Sequence, residues 1–323
     1  MGRLAFGSPD QWLVLQGLEG LVKDEINAHL ARRKLWFPND HLPSDEQGGD
    51  TQEQFYTGLR ERARGLPDAV RVSLALNLLT EEGLPHFHRL IAQYFGNESP
   101  WGSWNNLWTA EEDRHGCLLR DYCRDSRLFH MGELEKLQYA YLEAGFNPDW
   151  QQDPYRLLAY TSLQEKATQV SHANTGKRAA AHEPTLQRVL AHIAGDESRH
   201  YLFYRAAFAG ILAADTNRAL DSLLKVMPNL AMPGHSVPGY NDMSELIRRQ
   251  DIFGPRQYAG ICQELLEFWG IAGLTGLSAQ GQACQDKLMN IPNRLSKLAD
   301  YADSKAQAKI FAFPITYQRE IAA

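Results

Sequence analysis

The chain has 323 residues, 44% of them hydrophobic and 22% charged, with a formal net charge of −6. Those values fit one large soluble globular domain or two ordinary ones, and the mild acidity argues against nucleic acid as the main partner. No run approaches the ~18–20 apolar residues of a membrane span, which excludes the integral-membrane class.

The amino-terminal MGRLAFGSPDQW has no apolar core and no long Arg/Ser-rich stretch, so neither a signal nor a transit peptide is expected. Phe6 breaks the myristoylation pattern. Leu13, Leu15, Leu18, Leu21, Val22, Ile26 and Leu30 recur at three- and four-residue spacing and predict a helix over 10–34. A Pro/Asp/Gly-rich loop follows, from about Phe37 to Asp50. Pro67-Asp68 suits a helix start, and a long helix is predicted over 67–94. It is interrupted where Pro85 deprives the Glu81 carbonyl of its partner and Gly83 weakens the same turn. An ordinary proline kink and a distortion serving a neighbouring site both fit that break. Further helices are predicted over 104–122, 131–145, 153–181, 185–212, 256–270 and 280–301. A short extended piece is predicted in FAFPITYQREI near the end. Residues 37–52 and 228–243 read as the softest. There is no clear linker, so a single all-helical domain over 1–323 is expected, with a bundle core at about 66–212 and packing helices at both ends. Cys117, Cys123, Cys262 and Cys284 show no CxxC spacing and read as reduced thiols of a cytosolic protein.

Two Glu-x-x-His pairs carry the chemistry: Glu112 to His115 in TAEEDRH and Glu197 to His200 in AGDESRH. On a helix, residues three apart share a face, about 5–6 Å apart at Cβ, so a carboxylate and an imidazole reach one ion together. Two copies on two helices, with one further Glu from each of two other helices, are the bundle recipe for a carboxylate-bridged di-iron or di-manganese centre. Glu81 or Glu82 and Glu165 are available. Glu81 stands 31 positions before Glu112, and Glu165 stands 32 before Glu197. One such pair arises by chance on many solvated helices; two, each preceded by a Glu at matched distance, do not. Carboxylate with imidazole and no Cys disfavours structural zinc and suits iron or manganese. Four inward carboxylates nearly require a metal, because burying their charge alone is costly.

Several neighbours have two readings. Asp196 is placed to hold a ligand His by its other ring nitrogen, or is a solvated charge. Thr168, three after Glu165, presents a hydroxyl toward bound oxygen or bonds back to its own helix. Arg114 and Arg199 occupy the same place in both motifs and read as partners of nearby acids. His86, His88, His172, His182, His192 and His235 lack partners at ligand spacing. No nucleophile triad and no Gly-rich phosphate motif occurs.

Local strings also resemble the soluble acyl-carrier-protein desaturases of the stearoyl-ACP Δ9 type. These are LLTEEGLP (78–85), WTAEEDRHG (108–116), YTSLQEKAT (160–168), SHANT (171–175), GDESRH (195–200) and LTGLSAQGQ (274–282), in the family's order from about residue 30 onward. The resemblance implies a ferritin-like four-helix bundle with additional packing helices, in a homodimer with two iron ions per subunit. It implies the ligand set Glu81, Glu112, His115, Glu165, Glu197 and His200, with Glu82 outside it. It places Thr168 beside the centre and makes Asp196 and Trp36 an electron route to a histidine ligand. The reaction it implies uses dioxygen and two electrons from ferredoxin to insert a double bond into an acyl chain on acyl carrier protein. Bulky Leu157, where a smaller residue often lines the chain tunnel, and large Gln93 and Tyr94 bear on chain length. The acidic carrier needs a local basic patch. Arg32, Arg33 and Lys34 are one candidate; Arg248, Arg249 and Arg256 are another. A bacterial cytoplasm, or a plastid stroma for a mature plant form, follows from the same resemblance.

Three other readings compete. A ferritin-like iron-storage or ferroxidase protein explains the ligands but neither the length nor the strings outside the bundle. Another di-iron oxygenase acting on a carrier-bound substrate differs only in product. A non-catalytic carrier-binding relative leaves the full ligand set unexplained.

Overall fold

Proline in the first turn, where its missing N–H costs nothing, opens most of the long helices. The computed structural model describes residues 7–42, 50–230, 232–317 and 320–323. The chain runs through α1 (Pro9–Gly17), α2 (Glu19–Arg32), α3 (Asp50–Ala63), α4 (Asp68–Glu81), α5 (Leu84–Phe95), α6 (Pro100–Ser126) and α7 (Met131–Ala144). It continues through α8 (Pro154–Ala179), α9 (Pro184–Ala214), α10 (Thr216–Val226), α11 (Tyr240–Arg249), α12 (Pro255–Phe268), α13 (Ala279–Met289) and α14 (Ile291–Ser304). A two-stranded antiparallel hairpin, β1 (Ile310–Ala312) with β2 (Glu320–Ala322), closes it, with Phe311 opposite Ile321. The fold is all-α, and among the described residues no helix is long and apolar enough to cross a membrane. All four cysteines are free. The expectations for the first six residues, and the middle of the 37–50 loop, lie outside the described residues.

Three predicted helices are each two. The first breaks at Leu18, between α1 and α2, and the last breaks at Asn290, between α13 and α14. The break before Pro85 separates α4 from α5, and Gly83 is required there: a Cβ on it would lie 2.5 Å from the Tyr141 hydroxyl oxygen. Helices α3, α10 and α11 were not expected from the pattern.

Helices α4, α6, α9 and α8 form the central bundle. α8 and α9 pack along most of their length, α6 lies against α9, and α4 closes the ring against both α6 and α8. Two apolar clusters fill it. One gathers Trp104, Trp108, Tyr160 and Phe203; the other gathers Leu78, Leu118, Leu119 and Leu190. The layer between them holds the Glu and His positions singled out above.

Side-chain caps fix where α8 and α9 begin, Asp153 on the first and Glu183 on the second. Glu183 caps α9, accepting from Leu186 N at 2.6 Å, and it also accepts from Tyr122 Oη at 3.1 Å and Arg62 Nε at 2.9 Å. It is fully buried. Glu183→Ala strips a cap and orphans the Tyr122 hydroxyl, so a loss of about 2–4 kcal/mol is expected. Urea unfolding measures it, and a change below about 1 kcal/mol would show the cap to be dispensable.

Candidate metal centre

Each bundle helix delivers its acid to one buried spot. Glu81 comes from the last turn of α4, Glu112 and His115 from α6, Glu165 from α8, and Glu197 and His200 from α9. Ligand atoms of Glu81, Glu112, His115 and Glu197 all lie within 4.8 Å of one another, as do those of Glu112, Glu165, Glu197 and His200. Glu112 and Glu197 belong to both groups. The two sets therefore share two carboxylates, and each adds one carboxylate and one imidazole of its own. Glu82 points away and pairs with Arg120.

The arrangement leaves several ligand-type atoms without a well-formed hydrogen bond. Glu112 Oε1, Glu165 Oε2, Glu197 Oε2, His115 Nδ1 and His200 Nδ1 are buried and have no aligned hydrogen-bond partner, although His200 Nδ1 stands 2.8 Å from Glu112 Oε1. Buried polar atoms are ordinarily paired, and five converging orphans of ligand type fit a pair of metal ions. Electrostatics agrees. Burial drives the Glu165 carboxyl well above the ordinary range, and burial with the neighbouring Glu197 raises Glu112. Burial also acts on Glu197, but the imidazoles of His115 and His200, 3.6 and 3.7 Å away, outweigh it and hold that carboxyl well below the ordinary range. Both imidazoles resist deprotonation despite burial, because carboxylates surround them.

Further side chains hold the ligand candidates from behind. Asp196 Oδ2 lies 3.2 Å from His115 Nε2 and accepts from Trp36 Nε1 at 2.9 Å and Arg114 Nη2 at 3.1 Å; Arg199 pairs with its other oxygen. The Trp36 ring stacks on His115 with centroids 5.9 Å apart. Four supports were not expected from the sequence. Trp108 Nε1 donates to Glu165 at 3.1 Å. His172 Nε2 lies 2.8 Å from Glu81 Oε1. Glu111 lies 2.9 Å from His200 Nε2, and His29 lies 3.1 Å from Glu111. The signal for Glu111 was in plain view: it precedes Glu112 as Asp196 precedes Glu197.

A small cavity of about 30 Å³ adjoins Glu81 and Glu112, walled by Leu84, Phe87, Trp108, Met232 and Pro233, with Thr80, Gln164 and Thr168 as polar lining. Thr168 bonds back to its own helix, at 3.0 Å from Glu165 O, while still lining the cavity. Leu157 does not line it. It is buried in the apolar core two turns earlier on α8, roughly 12 Å along the helix from Glu165. The wall is Phe87, backed by Phe146 at 4.8 Å between centroids and Tyr160 at 6.5 Å. Tyr94 is buried beside Trp150 in the same cluster, and Gln93 lies outside the cavity lining.

The basic candidates are largely neutralised. Arg33 turns toward Glu111, 3.6 Å away, while Arg32, whose guanidinium bonds to Ala28 O in its own helix, and Lys34 stay exposed. Arg248 pairs with Asp303, Arg249 with Glu245 at 2.5 Å, and Arg256 with Asp300 at 2.9 Å.

The sequence profile of the fatty acid desaturase family matches residues 10–316. The chain is similar to a chloroplastic stearoyl-[acyl-carrier-protein] 9-desaturase of Gossypium hirsutum, 31% identical over 97% of this chain and 83% of that one. It is similar to DesA1 of Mycobacterium tuberculosis, named as an acyl-[acyl-carrier-protein] desaturase, at 31% identity over 92% of this chain and 89% of that one. It is similar to a stearoyl-[acyl-carrier-protein] 9-desaturase of Arabidopsis thaliana at 32% identity over 99% and 86%. The crystallographic structure of DesA2 from Mycobacterium tuberculosis, described as an acyl-ACP desaturase, superposes with a TM-score of 0.59 at 21% identity, covering 84% of this chain and 99% of that one, a likeness of fold.

Proposed function

The chain belongs to the fatty acid desaturase family and is an acyl-[acyl-carrier-protein] desaturase, an oxidoreductase, and from that premise we propose that Glu81, Glu112, His115, Glu165, Glu197 and His200 hold two iron ions at its active site. The observation that carries the site is the buried convergence of these six side chains, with five ligand atoms left unpaired. Iron held there supplies dioxygen activation strong enough to take hydrogen from an unactivated C–H pair. Over the full reaction the acyl chain loses two hydrogens, and dioxygen leaves as two waters after taking up two electrons and two protons.

The protein's own part is positioning and exclusion. Glu112 and Glu197, which belong to both ligand groups, would serve both ions, while Glu81 and Glu165 are steered by His172 and Trp108. Asp196 fixes the ring of His115 and ties it to Trp36, the proposed electron path from ferredoxin. Thr168 offers a hydroxyl at the cavity edge. A uniform alkyl chain gives no polar handle, so only the cavity's shape sets which carbons are presented. For the chain to reach the ions, the apolar wall of Leu84, Phe87 and Met232 yields. The proposal extends to a homodimer in a bacterial cytoplasm or plastid stroma, with acyl carrier protein as the carrier. Of the amino-terminal basic run, Lys34 with Arg32 is the carrier contact it retains, since Arg33 is turned inward. The test is incubation with a ladder of saturated acyl carrier proteins, ferredoxin and reductant, with mass spectrometry of the products. Absence of any product two mass units lighter overturns it, and hydroxylated product redirects it to a di-iron oxygenase.

Leu157, in the apolar core two turns before Glu165 on α8, is proposed as the gauge that limits how far an acyl chain extends past the metal site. Leu157→Gly is expected to shift preference toward longer chains, each methylene being worth about 0.8 kcal/mol of burial. The relative rates across the ladder are the readout, because glycine also weakens the helix by about 1 kcal/mol. An unchanged profile removes Leu157 from that role.

A further inference from the structure

The carboxylate before each motif does not support its own histidine. Asp196 directly precedes Glu197 on α9, yet it reaches His115 on α6 at 3.2 Å. Glu111 directly precedes Glu112 on α6, yet it reaches His200 on α9 at 2.9 Å. The supports are exchanged between the two helices. Both act on Nε2, so in both rings Nδ1 is the atom facing the shared carboxylates.

The two supports are unequal. Asp196 is locked by Trp36 and Arg114, both buried, and by Arg199. Glu111 has His29 at 3.1 Å and, at 3.6 Å, an Arg33 guanidinium that is one-quarter exposed. His29 is buried, its ring stacked on that of His200 at 5.8 Å between centroids and edge-on to Trp104 at 5.1 Å. Its Nδ1 has no partner, so the ring's polar bond is the one to Glu111. A ligand imidazole bonded through its far nitrogen to a carboxylate is oriented and made more basic.

We propose that Glu111 is the positioning residue for His200. With His29 and Arg33 behind it, Glu111 sets the affinity of the ion on the Glu165–His200 side independently of the ion that Asp196 supports through His115. The inference rests on the metal reading above and adds a division of labour between the two positions.

The test is equilibrium Co²⁺ titration of the full chain after metal removal, followed by visible absorption and bound stoichiometry. Glu111→Gln preserves size and an acceptor oxygen but removes the charge. It is expected to weaken one of two ions by about 10–100-fold and to leave the other unchanged. Asp196→Asn is expected to weaken the other ion, so the two singly loaded variants differ in spectrum. His29→Gln keeps a donor toward Glu111 and is expected to change affinity only a few-fold. Two ions bound to Glu111→Gln with unchanged affinities overturn the assignment, as does equal weakening of both ions with a lowered melting temperature of the metal-free chain. A wild-type chain that binds fewer than two ions overturns the metal reading itself, and this inference with it.

Discussion

Replacing Glu112 and Glu197 together by alanine is expected to empty both metal positions and reduce desaturation to background while the helices remain. These two carboxylates alone belong to both ligand groups. Losing either Glu81 or Glu165 leaves one position with its imidazole and both shared acids. Losing the shared pair leaves each position with one carboxylate and one imidazole. Two donors do not hold an ion that normally takes several oxygen and nitrogen ligands. The helices rest on the two apolar clusters on either side of this layer: losing Glu112 relieves its repulsion with Glu197, and losing Glu197 gives up only its local attraction to His115 and His200. Metal analysis and product mass spectrometry check the loss, and far-ultraviolet circular dichroism checks the helices. A double variant that retains metal and full activity sinks the site.

The long helices were legible because they are long. α6, α8 and α9 each repeat their apolar face many times and begin with proline. α10 and α11 have 11 and 10 residues, too few turns for periodicity to stand out, and α11 follows a Pro/Gly-rich stretch. α3 carries too many polar residues for a face to show in the pattern. The ligand candidates were legible because chemistry imposes a spacing: Glu and His three apart on a helix must share a face. Their supports obey no such rule. His29 reaches Glu111 across 82 positions and His172 reaches Glu81 across 91, contacts fixed only when helices pack. Phe87, which walls the cavity, reads in the sequence as one more apolar residue on an amphipathic helix. Arg33 looked like a surface charge because nothing in ARRKLW shows that the residue just past the end of α2 faces Glu111.

Stripping metal from the loaded chain is expected to cost about 8 kcal/mol of stability, roughly 4 for each of two ions at free concentrations a thousandfold above Kd. The chain left behind should have an inverted pH response. The Glu165 carboxyl is raised well above its usual 4.5 by burial, so the unfolded chain ionises it first, and stability falls as pH rises past 4.5. His115 and His200 are raised well above 6.5, so the stability they contribute is complete below 6.5 and is lost as pH climbs through their folded values. Glu197 is depressed well below 4.5, so its contribution changes only in acid. Above pH 4.5 these groups act in one direction: the stripped chain loses stability with rising pH. In the loaded chain the same side chains are ligands and the slope should disappear. Glu165→Gln removes the carboxyl whose ionisation burial opposes, without altering size, so it should raise the melting temperature of the stripped chain at pH 8 and lower that of the loaded one. Thermal unfolding of both proteins, with and without metal, from pH 5 to pH 8 decides the matter. A stripped wild-type chain whose melting temperature rises across that range would falsify the charge balance described for the centre.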